Sequence, residues 1–274
     1  MEKQIKVAIC YDFDGTLSPG NMQEYGFMET LGIAPQAFWQ KVNRLAAEQN
    51  SDSNLCWMKL MLDEASARGK VLYREDFWFC ARSIQLFAGV PSWFNRINDY
   101  GRKHGVEVQH FLLSSGLREI VEALPVSKSF NRLYACSFMY DKNGRAIWPS
   151  QVVNYTTKTQ YLYRISKGCL EQNDTSVNDK FDPDDYAVPF RHMLYIGDGI
   201  TDVPCMSTLK KFGGHAAAVY DPEKENAQKI AENLRADGRV DFIAPADYRQ
   251  DQPLSRYVWA LIDKIVADHR LQNI

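Results

Sequence analysis

Nowhere in the 274-residue chain do roughly eighteen apolar residues follow one another, so no segment reads as a membrane-spanning helix. The apolar stretch that follows Met1-Glu2-Lys3-Gln4-Ile5-Lys6 is too short for a signal-peptide core, and a cytoplasmic setting is the expectation. An excess of one charge is missing as well. With 32 Lys and Arg against 34 Asp and Glu, a net charge of -2 provides no field for coating nucleic acid or an anionic membrane, and a small substrate is expected instead. The six cysteines form no C-x-x-C pair, which excludes a cysteine zinc site or a thiol-exchange motif and leaves buried free thiols. The five histidines form no H-x-x-x-H pair, so a transition-metal site is not expected.

What the chain does have is a periodic second half. From residue 90 onward helical and strand patterns alternate: Ser92 to Lys103 reads as a helix, Val106 to Leu113 as a strand, Leu117 to Leu124 as a helix and Arg132 to Met139 as a strand. Asn143-Gly144 then signals a hairpin turn. Further on, Thr159 to Lys167 is helical, His192 to Ile196 a short buried strand, Asp202 to Leu209 a helix and Ala216 to Tyr220 a strand. Glu223 to Arg235 and Leu254 to His269 read as helices around a last strand at Val240 to Ile243. This is the signature of βα units, hence of an α/β fold with a mostly parallel sheet and helices on both faces.

Residues 20–88 break the pattern with helical stretches only, at Ala34 to Gln49, Ser53 to Arg68 and Arg74 to Phe87. They are expected to form an inserted all-helical cap over a core made of residues 1–19 and 89–274. The cap aromatics Trp39, Trp57, Phe77, Trp78 and Phe79 are spaced to pack a small core of their own. Glu171 to Asp185, polar and rich in Asn and Asp, reads as a surface loop.

Chemistry concentrates where strands end. The buried run Val7-Ala8-Ile9-Cys10-Tyr11 stops at Asp12-Phe13-Asp14-Gly15-Thr16, which throws out two carboxylates together. Two acids about 4 Å apart in a half-buried pocket repel by about 4 kcal/mol at an effective dielectric near 20, and a divalent cation would compensate them. Ser114-Ser115-Gly116 follows another apolar run and is expected to open a helix, offering a hydroxyl and free N–H groups to an anion. Lys158 starts a helix, a poor place for a cation against the macrodipole. Strand Tyr195-Ile196 leads into Gly197-Asp198-Gly199-Ile200-Thr201-Asp202, a glycine-flanked acid with a second acid one turn later.

These features in this order resemble the haloacid dehalogenase superfamily, specifically its Mg²⁺-dependent phosphatases with a helical cap after the first motif, of the phosphoserine phosphatase type. The resemblance implies a Rossmann-like core and hydrolysis of a small phosphorylated metabolite through a phospho-aspartyl intermediate. It implies Asp12 as nucleophile and Asp14 as general acid and base, with Lys158 neutralising nucleophile and phosphate. Ser114 and Ser115 would grip the phosphoryl oxygens, while Asp12, the backbone carbonyl of Asp14 and Asp198 would hold Mg²⁺ with Asp202 in support. Asn21 stands where phosphoserine phosphatases use a glutamate, and Thr201 where many relatives place asparagine. Nearness to the first motif makes Asn21, Gln23 and Glu24 the candidate substrate contacts of the cap. A phosphomutase of the same superfamily and a non-catalytic phospholigand-binding protein are the alternative readings. A dehalogenase proper does not use the acid at Asp14, and a receiver domain is far shorter.

Overall fold

The computed structural model describes residues 4–182 and 185–272. Its centre is a seven-stranded sheet in the order β4-β3-β2-β1-β5-β6-β7. The strands are β1 (Ile5–Tyr11), β2 (Val106–Leu117), β3 (Arg132–Tyr140), β4 (Ala146–Gln151), β5 (Met193–Gly197), β6 (His215–Tyr220) and β7 (Phe242–Pro245). Neighbours are parallel except β3 and β4, which are antiparallel across the Asn143-Gly144 turn. Gly144 sits at φ +79° there, a conformation that favours glycine. Val7 to Tyr11 are buried because β1 is central and covered on both faces, which is why that run shows no alternation.

Between β1 and the core helices lie α1 (Glu29–Leu31), α2 (Pro35–Gln49), α3 (Ser53–Ala67) and α4 (Arg74–Cys80), with no strand in this segment. Asp52 caps α3 by accepting from the N–H groups of Asn54 and Leu55. The core helices are α5 (Val90–Lys103), α6 (Arg118–Glu122), α7 (Lys158–Lys167), α8 (Val203–Lys211), α9 (Ala227–Ala236) and α10 (Pro253–Gln272). From β1 the chain steps one way to β2 and β3, then returns to β5 on the other side and steps away to β6 and β7. Right-handed crossovers in opposite directions put the two sets of helices on opposite faces. The order reverses between β1 and β5, and there the strand ends splay to leave a crevice.

A buried polar chain ties β1 and β2 to α5 behind that crevice. Trp93 donates to the Tyr11 hydroxyl at 2.9 Å, Tyr11 donates to His110 Nδ1 at 2.9 Å, and His110 Nε2 donates to Asn98 at 3.0 Å. Burial lowers His110 to about 3, so the ring stays neutral and the relay keeps one polarity.

The structure departs from the sequence expectations at several places. β2 runs through Ser114-Ser115-Gly116, with a register shift against β3 between Ser114 and Leu117, and the helix begins only at Arg118. Ser114 is therefore not a helix cap. Its hydroxyl accepts from Gly116 N at 2.9 Å within the irregular strand end. Helix α4 stops at Cys80 and passes through a 3₁₀ turn into an extended return to the core, tied by Phe87 N donating to Leu17 O at 3.0 Å. α9 starts at Ala227 because Asn226 takes φ +63°, which ends the irregular stretch that begins at Asp221. The last strand sits two residues later than expected.

The aromatic packing differs too. Trp57 and Phe77 are buried, but Phe77 stacks on Phe138 of the sheet at 5.6 Å, and Trp78 and Phe79 are exposed. In the polar stretch Glu171 to Asp185, whose residues 183 and 184 lie outside the described ones, Thr175–Asn178 form a 3₁₀ turn. The buried Arg164 guanidinium pins that stretch by donating to the carbonyls of Glu171, Gln172 and Asp174.

Candidate active site

β1 pairs Tyr11 with Leu112 on one side and Ile196 on the other. Asp12 and Asp198 therefore leave β1 and β5 at the same end of the sheet at which Ser114 lies in the irregular end of the adjacent β2. Asp12 is locked to β5 as well, its N–H donating to Ile196 O at 3.0 Å.

Lys158, delivered from the first turn of α7, is fully buried and lies 2.9 Å from Asp12 Oδ1 and 2.7 Å from Asp202 Oδ1. Its placement against the α7 dipole is compensated by these two carboxylates, and their charges hold the ammonium above its ordinary range despite burial. Asp202 is saturated. Oδ1 also accepts from the Tyr195 hydroxyl at 2.7 Å, and Oδ2 accepts from the N–H groups of Asp198 at 3.1 Å and Gly199 at 3.4 Å. It thus fixes both the lysine and the loop that carries Asp198.

Asp12, Asp14 and Asp198 are undercompensated. Burial, then the neighbouring charges, pushes Asp198 up to about 8, and burial, opposed by Lys158, pushes Asp12 up to about 6. Asp14 is raised well above the usual carboxylate range by burial and by Asp12, although its Oδ1 accepts from Met22 N at 3.0 Å.

One carboxylate oxygen from each of Asp12, Asp198 and Asp202 lies within 4.8 Å of the others. An all-oxygen set with excess negative charge fits a hard divalent cation. Asp12 and Asp198 have the freer oxygens, since both of Asp202's are engaged. The Asp14 carboxylate is not part of this group and faces Met22 instead.

A stability dependence follows for the protein with no cation at these acids. Carboxylates raised above their unfolded value bind more protons folded than unfolded, so between about pH 4 and pH 8 stability falls as pH rises. Melting temperature in chelator is expected to drop from pH 5 to pH 8. The increment given by a divalent cation should grow over the same interval, because the cation displaces those protons. A cation increment independent of pH would contradict the assignment.

Sequence reasoning named Asp12, Asp14, Ser114, Lys158, Asp198 and Asp202, and all six lie around this crevice, with Ser115 next to Ser114 and half-buried. The cap candidates have different surroundings. Glu24 Oε1 accepts from Asn21 Nδ2 and from Trp39 Nε1, each at 2.8 Å, which ties Asn21 and Glu24 into the helical segment. Gln23 is buried with its side-chain oxygen unpartnered. Two participants had no place in the sequence reading. Tyr195 was visible only as a strand residue, and Met22 braces the site through Asp14 and through Leu117 N, which donates to its sulfur at 3.0 Å. A tyrosine in an otherwise aliphatic buried run, three residues before Asp198, is the signal that could have marked the first.

No family model matches the chain. An uncharacterized protein of Borreliella burgdorferi is 25% identical over 291 residues, spanning 96% of this chain and 98% of that one. Among solved structures, a HAD-family hydrolase from Salmonella enterica serovar Typhi superposes with a TM-score of 0.61 at 13% identity, over 96% of this chain and 74% of that one. A phosphoserine phosphatase in apo form gives 0.56 at 15% identity over 90% and 95% of the two chains. Cytosolic 5'-nucleotidase IIIB bound to cytidine gives 0.53 at 14% identity over 97% and 87%. The fold is that of the haloacid dehalogenase-like hydrolases. Within that class, its neighbours in shape include phosphoserine phosphatase.

Proposed function

We propose that this protein is a magnesium-dependent phosphomonoester hydrolase that acts on a small phosphorylated metabolite through a phospho-aspartyl intermediate on Asp12. The observation that carries this reading is the convergence of Asp12, Lys158, Asp198 and Asp202 at the sheet's switch point, with a second, protonation-prone acid at Asp14. Asp12, Asp198 and the backbone carbonyl of Asp14 would hold Mg²⁺, with Asp202 in support. Bound there, the ion supplies charge neutralisation for the phosphate.

Asp12 presents a carboxylate oxygen to phosphorus while Lys158 holds its other oxygen and shields the two negative groups from each other. As the Asp12–phosphorus bond forms and the ester bond breaks, Asp14 gives its proton to the leaving oxygen, a role that suits an acid kept neutral by its surroundings. Water then attacks phosphorus, returns a proton to Asp14 and frees the Asp12 carboxylate. Ser114, whose oxygen accepts from Gly116, keeps its own hydrogen free for a phosphoryl oxygen, and Ser115 N–H lies beside it. Residues 20–88 act as a cap that excludes bulk water, on a core of 1–19 and 89–274. Six free, buried cysteines suit a reducing compartment, the cytoplasm.

The test is release of phosphate from an aryl phosphate with Mg²⁺ and with chelator. Turnover that needs the cation is expected; no release from any phosphorylated metabolite in a broad screen removes the hydrolase reading.

Geometry around Gly15 makes a second prediction. Gly15 sits at φ +78°, and a Cβ there would lie 2.2 Å from Asp198 Oδ2. Gly15→Ala must displace Asp198, and a displacement of about 1 Å at such a site costs on the order of 10²-fold in rate. Steady-state kinetics paired with a melting curve check it; near wild-type kcat/KM would show that Asp198 need not stay where it is.

A further inference from the structure

A cleft of about 280 Å³ opens beside the carboxylate cluster, between the Gly197 to Thr201 loop and the connection from β6 to α9. Gly15 and Asp198 belong to its wall, so it adjoins the carboxylate cluster, and Gly15 is the chain neighbour of Asp14. The rest of the wall is largely apolar: Pro19, Ile200, Val219, Tyr220 and Ile230. Ile200 is 76% exposed although it lies only two residues from Asp198, and Ile230 across the cleft is 39% exposed. Apolar surface left bare at the mouth of a polar site is covered when a ligand of matching character enters.

The rim argues against a second charge on that ligand. Asp221, Lys224 and Glu225 line it, so two acids face one cation there. A carboxylate or second phosphate would meet net negative charge. Tyr25 stands near the cleft, within reach of the charges of Asp14 and Asp221. The chain kinks at Tyr25-Gly26, with Gly26 at φ +76°, and the Tyr25 hydroxyl comes so near Gly20 that a Cβ there would lie 2.6 Å from it.

Resting on the hydrolase reading above, we infer that this cleft receives the leaving group, and that the substrate is the phosphate ester of an uncharged, predominantly apolar alcohol or phenol. An amino-acid or sugar bisphosphate ester does not fit it.

Phosphonates test this independently of turnover, because their P–C bond is not hydrolysed. Calorimetric titration of the magnesium-loaded protein with methylphosphonate, benzylphosphonate and phosphonoacetate is expected to show the benzyl compound binding about tenfold tighter than the methyl one. The carboxylate compound should bind no tighter than methylphosphonate. Ile200→Ser and Ile230→Ser, both at exposed positions that the fold does not need, should each bring the benzyl-to-methyl ratio close to one. Equal affinity for the two in the wild type, tighter binding of phosphonoacetate, or a ratio unmoved in both variants overturns the inference. Benzyl preference without hydrolysis of any ester removes the proposed chemistry and leaves the cleft assignment; hydrolysis without benzyl preference does the reverse.

Discussion

Asp12→Asn is expected to lower turnover of an aryl phosphate by about 10⁴-fold or more while leaving the unfolding free energy within about 1 kcal/mol of wild type. The first half follows from its position: among the described residues no other carboxylate both touches Lys158 from the end of the central strand and keeps an oxygen free of hydrogen bonds to the Gly197 to Asp202 loop. An amide of the same shape cannot form the acyl phosphate. The second half follows from electrostatics. Asp12 shares a buried volume with Asp14, Asp198 and Asp202, and its charge raises two of them. Removing it relieves that repulsion while Lys158 retains Asp202 at 2.7 Å. Urea denaturation and steady-state kinetics on one preparation separate the two effects. Residual activity above about one hundredth of wild type would remove Asp12 from the nucleophile's role.

The acids could be read from sequence because a strand buried on both faces has nowhere to place a carboxylate except at its tip. Val7 to Tyr11 and Met193 to Ile196 both end in this way. Lys158 was legible for a related reason, since a cation in the first turn of a helix needs an external partner. Ser114 was legible as a participant but not in its setting. Ser-Ser-Gly after an apolar run carries the composition of a helix start, and only pairing with β3, which sequence periodicity does not encode, keeps it in the strand. The same limit applies to Phe77. Its spacing says that it is buried, whereas its partner, Phe138, belongs to a sheet strand sixty-one positions away in the numbering. Trp78 and Phe79 are exposed because α4 is short and turns only one face to the core. Tyr195 shows the converse case, where hydropathy reads the ring and misses the hydroxyl.

Lys158→Met carries the largest expected cost to the fold. The lysine is fully buried between Asp12 and Asp202, and methionine fills similar volume without charge. Breaking a buried ion pair by removing one partner costs about 3–5 kcal/mol, since the acids left behind are uncompensated. Their proton affinities should rise further, so the variant should be destabilised most at high pH and recover part of its stability as pH falls and the acids are neutralised. Turnover should be lost under all conditions, because no ammonium remains to hold the Asp12 oxygen and shield that carboxylate from the phosphate.

The double variant Lys158→Met, Asp202→Asn separates the structural from the catalytic part. The asparagine oxygen can take the place of Oδ2 and accept from the loop N–H groups while its Nδ2 donates to the Tyr195 hydroxyl, and the substitution removes one of the two stranded charges. Stability should return by about half or more of the loss in the single variant, with no return of activity. If Lys158→Met alone melts within a few degrees of wild type at pH 8, the lysine is not the counter-charge on which this cluster of acids depends.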